Sequence, residues 1–258
     1  MVSVIITSFN SEKFIENAIN SLVNQSFTNW ECIIVDDCSS DNTLNIISRI
    51  IHDDHRFKFF KLNHNSGGPA RPRNIGVSLS SGVFICFLDA DDFWSLDKLL
   101  VQFDFLNLNQ LKYSICSTDR LICHSNFVIE KPLKNHELSF IEIDFKDINE
   151  QNVLYLSSVM IQSEVIKNFK FNESSTFSFV EDYLLWNEIL QVTKSVAAIL
   201  NYKSLYYRSH DSNFSSDKIM MAKGILRVSY LLKKLNLLYF IFFGIRLLLK
   251  WSIRKNAK

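Results

Sequence analysis

Three short apolar runs shape the first half of the chain, and each of them ends in polar or acidic side chains. Residues 2–7 run into Ser8-Phe9-Asn10, and residues 32–35 run into Asp36-Asp37-Cys38-Ser39-Ser40-Asp41. Residues 83–88 run into Asp89-Ala90-Asp91-Asp92, and residues 57–62 are expected to form a further strand. Between the runs, apolar residues recur at helical spacing: Phe14, Ile15, Ala18, Ile19, Leu22 and Val23 follow a candidate cap at Ser11, and Leu44, Ile47 and Ile51 mark residues 43–51. Gly67-Gly68-Pro69 breaks the chain before a helix that ends near residue 80, and residues 96–108 are again helical. Strands alternating with helices of this length predict an α/β fold with a mostly parallel sheet flanked by helices. In such sheets ligands bind just beyond the carboxyl ends of the strands, which is where the acidic clusters fall.

Residues 113–180 are less regular. Apolar runs at 153–156 and 159–161 predict added strands, residues 180–190 a helix opening with Glu181-Asp182, and residues 196–200 and 205–207 a closing pair of strands. A hydrophobic content of 47% over 258 residues excludes disorder and allows one large core with an appendage. The five cysteines form no CxxC pair, which argues against a zinc ribbon or a disulfide framework and predicts reduced thiols. Met1 leads straight into the first strand, so no secretory leader is expected.

Ten of the 28 basic residues fall after Asp217, with no acid among them, leaving 18 basic and 27 acidic side chains before it. An acidic body therefore carries a basic tail. Between Ile225 and Trp251 the tail is dominated by Leu, Ile and Phe, with Lys233, Lys234, Arg246, Lys250, Arg254 and Lys255 at its flanks. Its longest uncharged run, residues 235–245, is too short to span a bilayer. The pattern predicts a helix lying in a membrane interface through residues 225–258. A helix packed on the body or in a homodimer is the competing reading. Nucleic acid is not an expected partner, because the segment is too apolar for a groove-binding arm.

Each cluster has a chemical and a bland reading. Asp89, Asp91 and Asp92 repel one another, which a hard divalent cation relieves through oxygen ligands; a solvated turn with Asp92 capping the next helix is the alternative. Asp36 and Asp37 offer acceptors for a base or ribose, or a plain turn. Phe9 offers an aromatic face, or a core contact. Arg71 and Arg73 near a helix start suit a phosphate-bearing ligand, or a solvated basic turn. Glu181-Asp182 supplies a general base, or favourable helix-dipole charges. His210 is a ligand or a surface residue.

The order of these motifs resembles glycosyltransferase family 2, of the GT-A fold. The resemblance rests on Val2-Ser3-Val4-Ile5-Ile6-Thr7-Ser8-Phe9-Asn10, Ser21-Leu22-Val23-Asn24-Gln25-Ser26-Phe27, Ile34-Val35-Asp36-Asp37-Cys38-Ser39-Ser40-Asp41, Pro72-Arg73-Asn74-Ile75-Gly76 and Phe87-Leu88-Asp89-Ala90-Asp91-Asp92. It continues more loosely through Glu181-Asp182 and Tyr207-Arg208-Ser209-His210. It implies a catalytic domain over residues 1–217, with a nucleotide-sugar half (1–110) and an acceptor half (111–217), followed by the tail at 218–258. Thr7 and Phe9 would line the base pocket, Asp37 would bond the uracil of a UDP-sugar with Asp36 in support, and Arg73 would belong to the donor site. Asp89 would lie near the ribose and Asp91 on Mn2+ or Mg2+, with His210 completing that site. Asp182 would be the catalytic base.

Two positions depart from the pattern: Cys38 stands where Gly is usual, and Pro72 where a small residue is common. The QxxRW signature of processive members and their membrane spans are absent, which implies transfer of a single sugar. The implied activity is inverting, metal-dependent transfer of a hexose or N-acetylhexosamine to a lipid-linked saccharide, by a peripheral protein on the cytoplasmic face of a bacterial inner membrane. A non-catalytic nucleotide-sugar-binding module is the alternative; a sugar nucleotidyltransferase would show a Gly-rich phosphate loop near the N-terminus, and none is present.

Overall fold

The computed structural model describes residues 1–123, 138–150, 152–178, 180–209 and 218–232. Three helix-linked parallel strands open the chain: β1 (Val2–Ser8), α1 (Ile15–Val23), β2 (Trp30–Asp36), α2 (Thr43–Ile51) and β3 (Phe57–Lys61). Next come α3 (Ala70–Leu79), β4 (Phe84–Asp89), β5 (Phe93–Trp94), α4 (Lys98–Asn109) and β6 (Tyr113–Cys123). The second half adds β7 (Phe140–Ile143), α5 (Phe145–Glu150), β8 (Met160–Gln162), α6 (Ser163–Ile166), α7 (Glu181–Thr193), β9 (Val196–Arg208) and α8 (Lys218–Leu231). The strands form one sheet in the order β3-β2-β1-β4-β8-β6-β9-β5, with β7 on the outer side of β9.

β1 lies between β2 and β4 and runs parallel to both, so Thr7 is level with Asp89 and Ser8 with Asp36. This register brings the polar ends of the first, second and fourth strands side by side. Strand side chains alternate faces, and the two faces carry separate cores. Val4, Ile6, Ile34, Cys86 and Leu88 pack under α1, α2 and α4. Ile5, Ile85, Phe87 and Ile161 pack under α3 and α7. α1 buries Ile15, Ala18, Ile19 and Leu22, a single stripe at i, i+3, i+4 and i+7.

α3 lies so close to the sheet that a Cβ on Gly76 would come within 2.4 Å of Ile5 Cγ2. Ile5 is a core residue of a central strand and cannot swing away. Gly76→Ala is therefore expected to destabilise the protein by about 1–3 kcal/mol, the usual cost of overpacking, read as a lower urea midpoint. An unchanged midpoint would mean that the helix shifts freely.

Several expectations are corrected. Ser11 does not cap α1 with its side chain: α1 begins at Ile15 after Phe14, and the Ser11 hydroxyl donates to the Phe9 carbonyl. Residues 153–156 are not a strand. They lead into a short 3-10 turn, Leu156–Ser158, that packs against β4. The expected pair at 196–200 and 205–207 is one strand, β9, which runs parallel to β6 through register shifts between Leu200 and Leu205. The irregularity turns Tyr202 inward, where its hydroxyl donates to Asp97.

Packing also continues past residue 217. Val228 of α8 is fully buried in the core under α7, Gly224 sits against Val180, and Arg227 donates to the Thr176 carbonyl at 3.1 Å. Among the described residues no helix is long and apolar enough to cross a membrane. Tail residues 233–258 lie outside the described residues.

Candidate active site

The β1–α1 and β2–α2 loops are stitched together around Asp36. This carboxylate is fully buried and accepts from Ser8 Oγ (2.9 Å), Ser39 N (2.8 Å) and Ser39 Oγ (2.5 Å). Ser39 Oγ in turn accepts from Asn10 N at 2.9 Å, and Asn10 Oδ1 accepts from Ser40 N at 2.9 Å. Asp36 is thus spent on shaping the loop, as a supporting residue.

Asp37 accepts from Ser66 N at 2.8 Å and from Ser66 Oγ at 2.9 Å. Burial pushes the Asp37 carboxyl above its ordinary value, against the two bonds from Ser66. An ionised carboxylate has roughly four acceptor positions, so two remain for a ligand donor. Phe9, which follows the Ser8 carbonyl that accepts from Asp37 N at 2.8 Å, is 48% exposed and offers an apolar ring to solvent. Thr7 is half-buried at the end of β1. Thr7, Phe9, Asp36 and Asp37 are therefore brought to one end of the sheet, as expected.

The departure at Cys38 has a physical reading. Its φ is +68°, the left-handed region that glycine enters freely and other residues enter at a cost of roughly 1–2 kcal/mol. The Asp36–Ser39 bonds hold it there. Cys38→Gly is expected to stabilise the fold by about 0.5–1 kcal/mol after glycine's entropy cost, and Cys38→Val to destabilise it. Thermal unfolding of the pair checks this; equal midpoints would contradict it. Pro72 is harmless because it lies in the first turn of α3, where its missing N–H has no partner to lose.

Arg73 departs from its expected place in the donor site. Ala70, Arg73 and Val77 share the inward stripe of α3, so the guanidinium is buried. It donates to Asp89 Oδ1 at 2.8 Å and to Glu181 Oε1 at 2.5 Å. Burial opposes its charge, but Asp89 and Glu181 outweigh that and its pKa rises. Arg73 therefore ties the end of β4 to the start of α7, and this geometry replaces the phosphate contact read from sequence. Arg71, exposed at the same helix start, lies where its charge reaches Asp37.

The acidic turn divides its three carboxylates. Asp89 is paired with Arg73 and its N–H donates to Ser157 Oγ at 3.1 Å. Asp92 is buried, so it is neither a solvated turn residue nor a helix cap. It accepts from Arg208 N at 3.1 Å, and burial, reinforced by Asp91 and Asp89, pushes its carboxyl well up. Asp91 lies between them, half-buried, with its carbonyl accepting from Arg208 Nε at 3.1 Å. Among the described residues no three His, Cys, Asp or Glu side chains converge in a metal-binding group. Mg2+ and Mn2+ need only one or two carboxylates when substrate phosphates and water complete the shell, so Asp91 beside Asp89 fits such an ion. His210 lies outside the described residues.

Asp182 stands at the first turn of α7, half-buried. Its carboxylate accepts from Tyr183 N at 2.6 Å and from Asn152 Nδ2 at 3.5 Å. Burial raises its pKa, against the pull of Arg73, and the charge of Asp89 adds to the rise. Its neighbour Glu181 is buried against Arg73 and reaches about 7, because burial outweighs Arg73 and Asp182 is a like charge. Sequence reasoning did not single out Ser66, Ser157 or Asn152. Single serines and asparagines in irregular segments carry no pattern, whereas the buried stripe of α3 was a usable signal for Arg73.

The family model for glycosyl transferase family 2 matches residues 3–169. The chain belongs to glycosyltransferase family 2. A relative from Escherichia coli, the UDP-Glc:alpha-D-GlcNAc-diphosphoundecaprenol beta-1,3-glucosyltransferase WfaP, is 31% identical over 240 residues, covering 92% of this chain and 87% of its own. The S. aureus TarS 1–349 structure in complex with UDP superimposes with a TM-score of 0.66 at 22% identity, over 89% of this chain and 72% of that one. The mannosyltransferase PcManGT of Pyrobaculum calidifontis, in complex with GDP-Man and Mn2+, gives 0.67 at 13% identity, over 91% and 64%. The fold of this family 2 chain is thus GT-A and its class is that of a glycosyltransferase enzyme.

Proposed function

We propose that this family 2 enzyme moves one hexose or N-acetylhexosamine from a UDP-sugar to a hydroxyl of a lipid-linked saccharide, with inversion and with Mn2+ or Mg2+. The observation that carries the reading is the placement of Asp182: a half-buried carboxylate with a raised pKa, held beside the acidic turn by the Arg73 bridge. A general base works best when its pKa approaches the working pH, which is the direction of the Asp182 shift.

The other residues fall into supporting roles. Asp37, oriented by Ser66, accepts the imide N–H of uracil while Phe9 covers one face of the base and Thr7 lines the pocket. Asp89 lies toward the ribose, and Asp91 would hold the ion. Bound there, the ion would supply positive charge to the departing diphosphate. Asp182 takes the proton of the acceptor hydroxyl, whose oxygen attacks the anomeric carbon on the face opposite UDP, and no covalent sugar–enzyme intermediate forms. His210 is assigned to the same ion or to the diphosphate.

The diphosphoundecaprenol-linked sugar in the name of the WfaP relative supports a lipid-linked acceptor, and the basic tail supports a peripheral seat on the cytoplasmic membrane face. In this reading residues 225–258 provide the membrane contact, with Ile225 and Val228 turned to the body and Tyr230 exposed. The test of the stereochemistry is proton NMR of the product from an α-linked UDP-sugar. A β anomeric coupling is expected; an α product would overturn the single-displacement mechanism.

A further inference from the structure

Arg120, near the end of β6, plays no part in the donor site or the base, and its surroundings are unusual for an arginine. Its guanidinium carbon lies 3.8 Å from the ring centre of Tyr155 and 4.9 Å from that of Tyr207. All three side chains are half-buried. Among the described residues the guanidinium has no carboxylate partner and no hydrogen bond; only the backbone N–H of Arg120 is engaged, donating to Asp119 Oδ1 at 2.8 Å. A half-buried cation held on aromatic faces keeps its in-plane N–H edges available, and that fork matches phosphate geometry.

The stack also has a defined address. Tyr155 lies two residues before Ser157, which holds the Asp89 N–H. Tyr207 precedes Arg208, which holds the Asp91 carbonyl and the Asp92 carboxylate. Both aromatic partners therefore belong to segments that grip the acidic turn. In the sheet the donor-side loops follow β1 and β2, β4 carries the acidic turn, and β6 and β9 lie on the far side of it. An in-line displacement brings donor and acceptor to the reacting carbon from opposite sides, so a cation on the β6–β9 side faces the acceptor.

We infer that Arg120, seated on Tyr155 and Tyr207, is an anion subsite for the phosphate or diphosphate that joins the acceptor saccharide to its lipid. This rests on the proposed lipid-linked acceptor. The subsite sets which acceptors bind; the base and the donor pocket lie elsewhere.

The test compares the full chain with Arg120→Met, which keeps the stem, and Arg120→Lys, which keeps the charge. Calorimetry with a short-chain prenyl diphosphate, run on protein saturated with UDP, reads the subsite without requiring turnover. Arg120→Met is expected to weaken prenyl diphosphate binding by about tenfold or more, the effect of losing one charge-assisted hydrogen bond. Arg120→Lys should retain part of it, and UDP affinity should stay within about twofold in both variants. In transfer assays, the acceptor KM should rise for a lipid-diphosphate saccharide and not for the same saccharide on an uncharged alkyl chain. No prenyl diphosphate binding by the unaltered chain, or equal binding by Arg120→Met, would overturn the subsite. A loss of UDP affinity instead would assign Arg120 to the donor diphosphate and overturn it as well. If the unaltered chain binds the prenyl diphosphate in the Arg120-dependent way but transfers no sugar, the subsite stands and the proposed reaction fails.

Discussion

Asp182→Asn is expected to lower kcat by about 10²–10⁴-fold, the usual contribution of a positioned general base, while UDP binding and the melting temperature change little. The amide keeps the size of the side chain and can still accept from Tyr183 N, so the start of α7 should not reorganise. Loss of donor affinity is not expected, because the proposed base pocket draws on β1, β2 and the Ser66 loop. The pH profile gives a second check. Burial raises the Asp182 pKa above its ordinary value of 3.8, so kcat should rise with pH along a limb whose midpoint lies above that value. Arg73 pulls in the opposite direction, so removing it should move the limb to higher pH. Near-full activity in Asp182→Asn would remove the residue from the proton-transfer step.

Arg73→Met should be the most damaging single change to stability, at about 3 kcal/mol or more, because truncating one partner of a buried pair leaves an uncompensated charge. Most of that cost comes from Glu181, which is nearly as buried as Arg73, while Asp89 remains 34% exposed and is partly served by water. Glu181 can escape by taking a proton, which keeps the cost near the lower end of the usual range. Adding Glu181→Met to Arg73→Met should therefore recover stability, and a double variant no better than the single one would contradict the account. The pH dependence follows with a definite sign. A carboxyl raised from 4.5 to about 7 contributes stability that is complete below 4.5 and is lost as pH rises through 7. Without Arg73 the Glu181 midpoint moves higher still, so Arg73→Met should fall furthest behind at alkaline pH. Urea unfolding across that range reads both effects.

The parts of this molecule that a sequence displays well are those with a period. The apolar runs that became β1, β2 and β4 are buried on both faces of the sheet, and α2 spans Thr43–Ile51 as the spacing of Leu44, Ile47 and Ile51 predicts. The clusters at their ends are legible because charge is costly there unless a ligand or partner uses it. The second half resists for two physical reasons. β8, expected at 159–161 and found at Met160–Gln162, has only three residues, and its pairing to β4 and β6 is decided by tertiary contact instead of alternation. β9 carries polar Asn201 and Lys203 at a register shift, which reads in sequence as the end of one strand and the start of another. In the site, the carboxylates at 36, 37, 89, 91 and 182 are legible from type and position. The bridge from Arg73 to Glu181 is not, because it joins residues 108 apart in the chain. The same holds for Ser66 under Asp37 and Ser157 under Asp89, which are recognised only once the loops are folded together.

The central claim is that the polar ends of β1, β2 and β4 hold a UDP-sugar and activate it. The most direct measurement incubates the full chain with a panel of nucleotide sugars, with and without Mn2+, and follows slow release of free nucleotide. The account predicts Mn2+-dependent release of UDP from one UDP-sugar, abolished by Asp91→Asn and unaffected by Arg120→Met. Release from a GDP- or TDP-sugar in preference to every UDP-sugar, or release indifferent to Asp91, would contradict it.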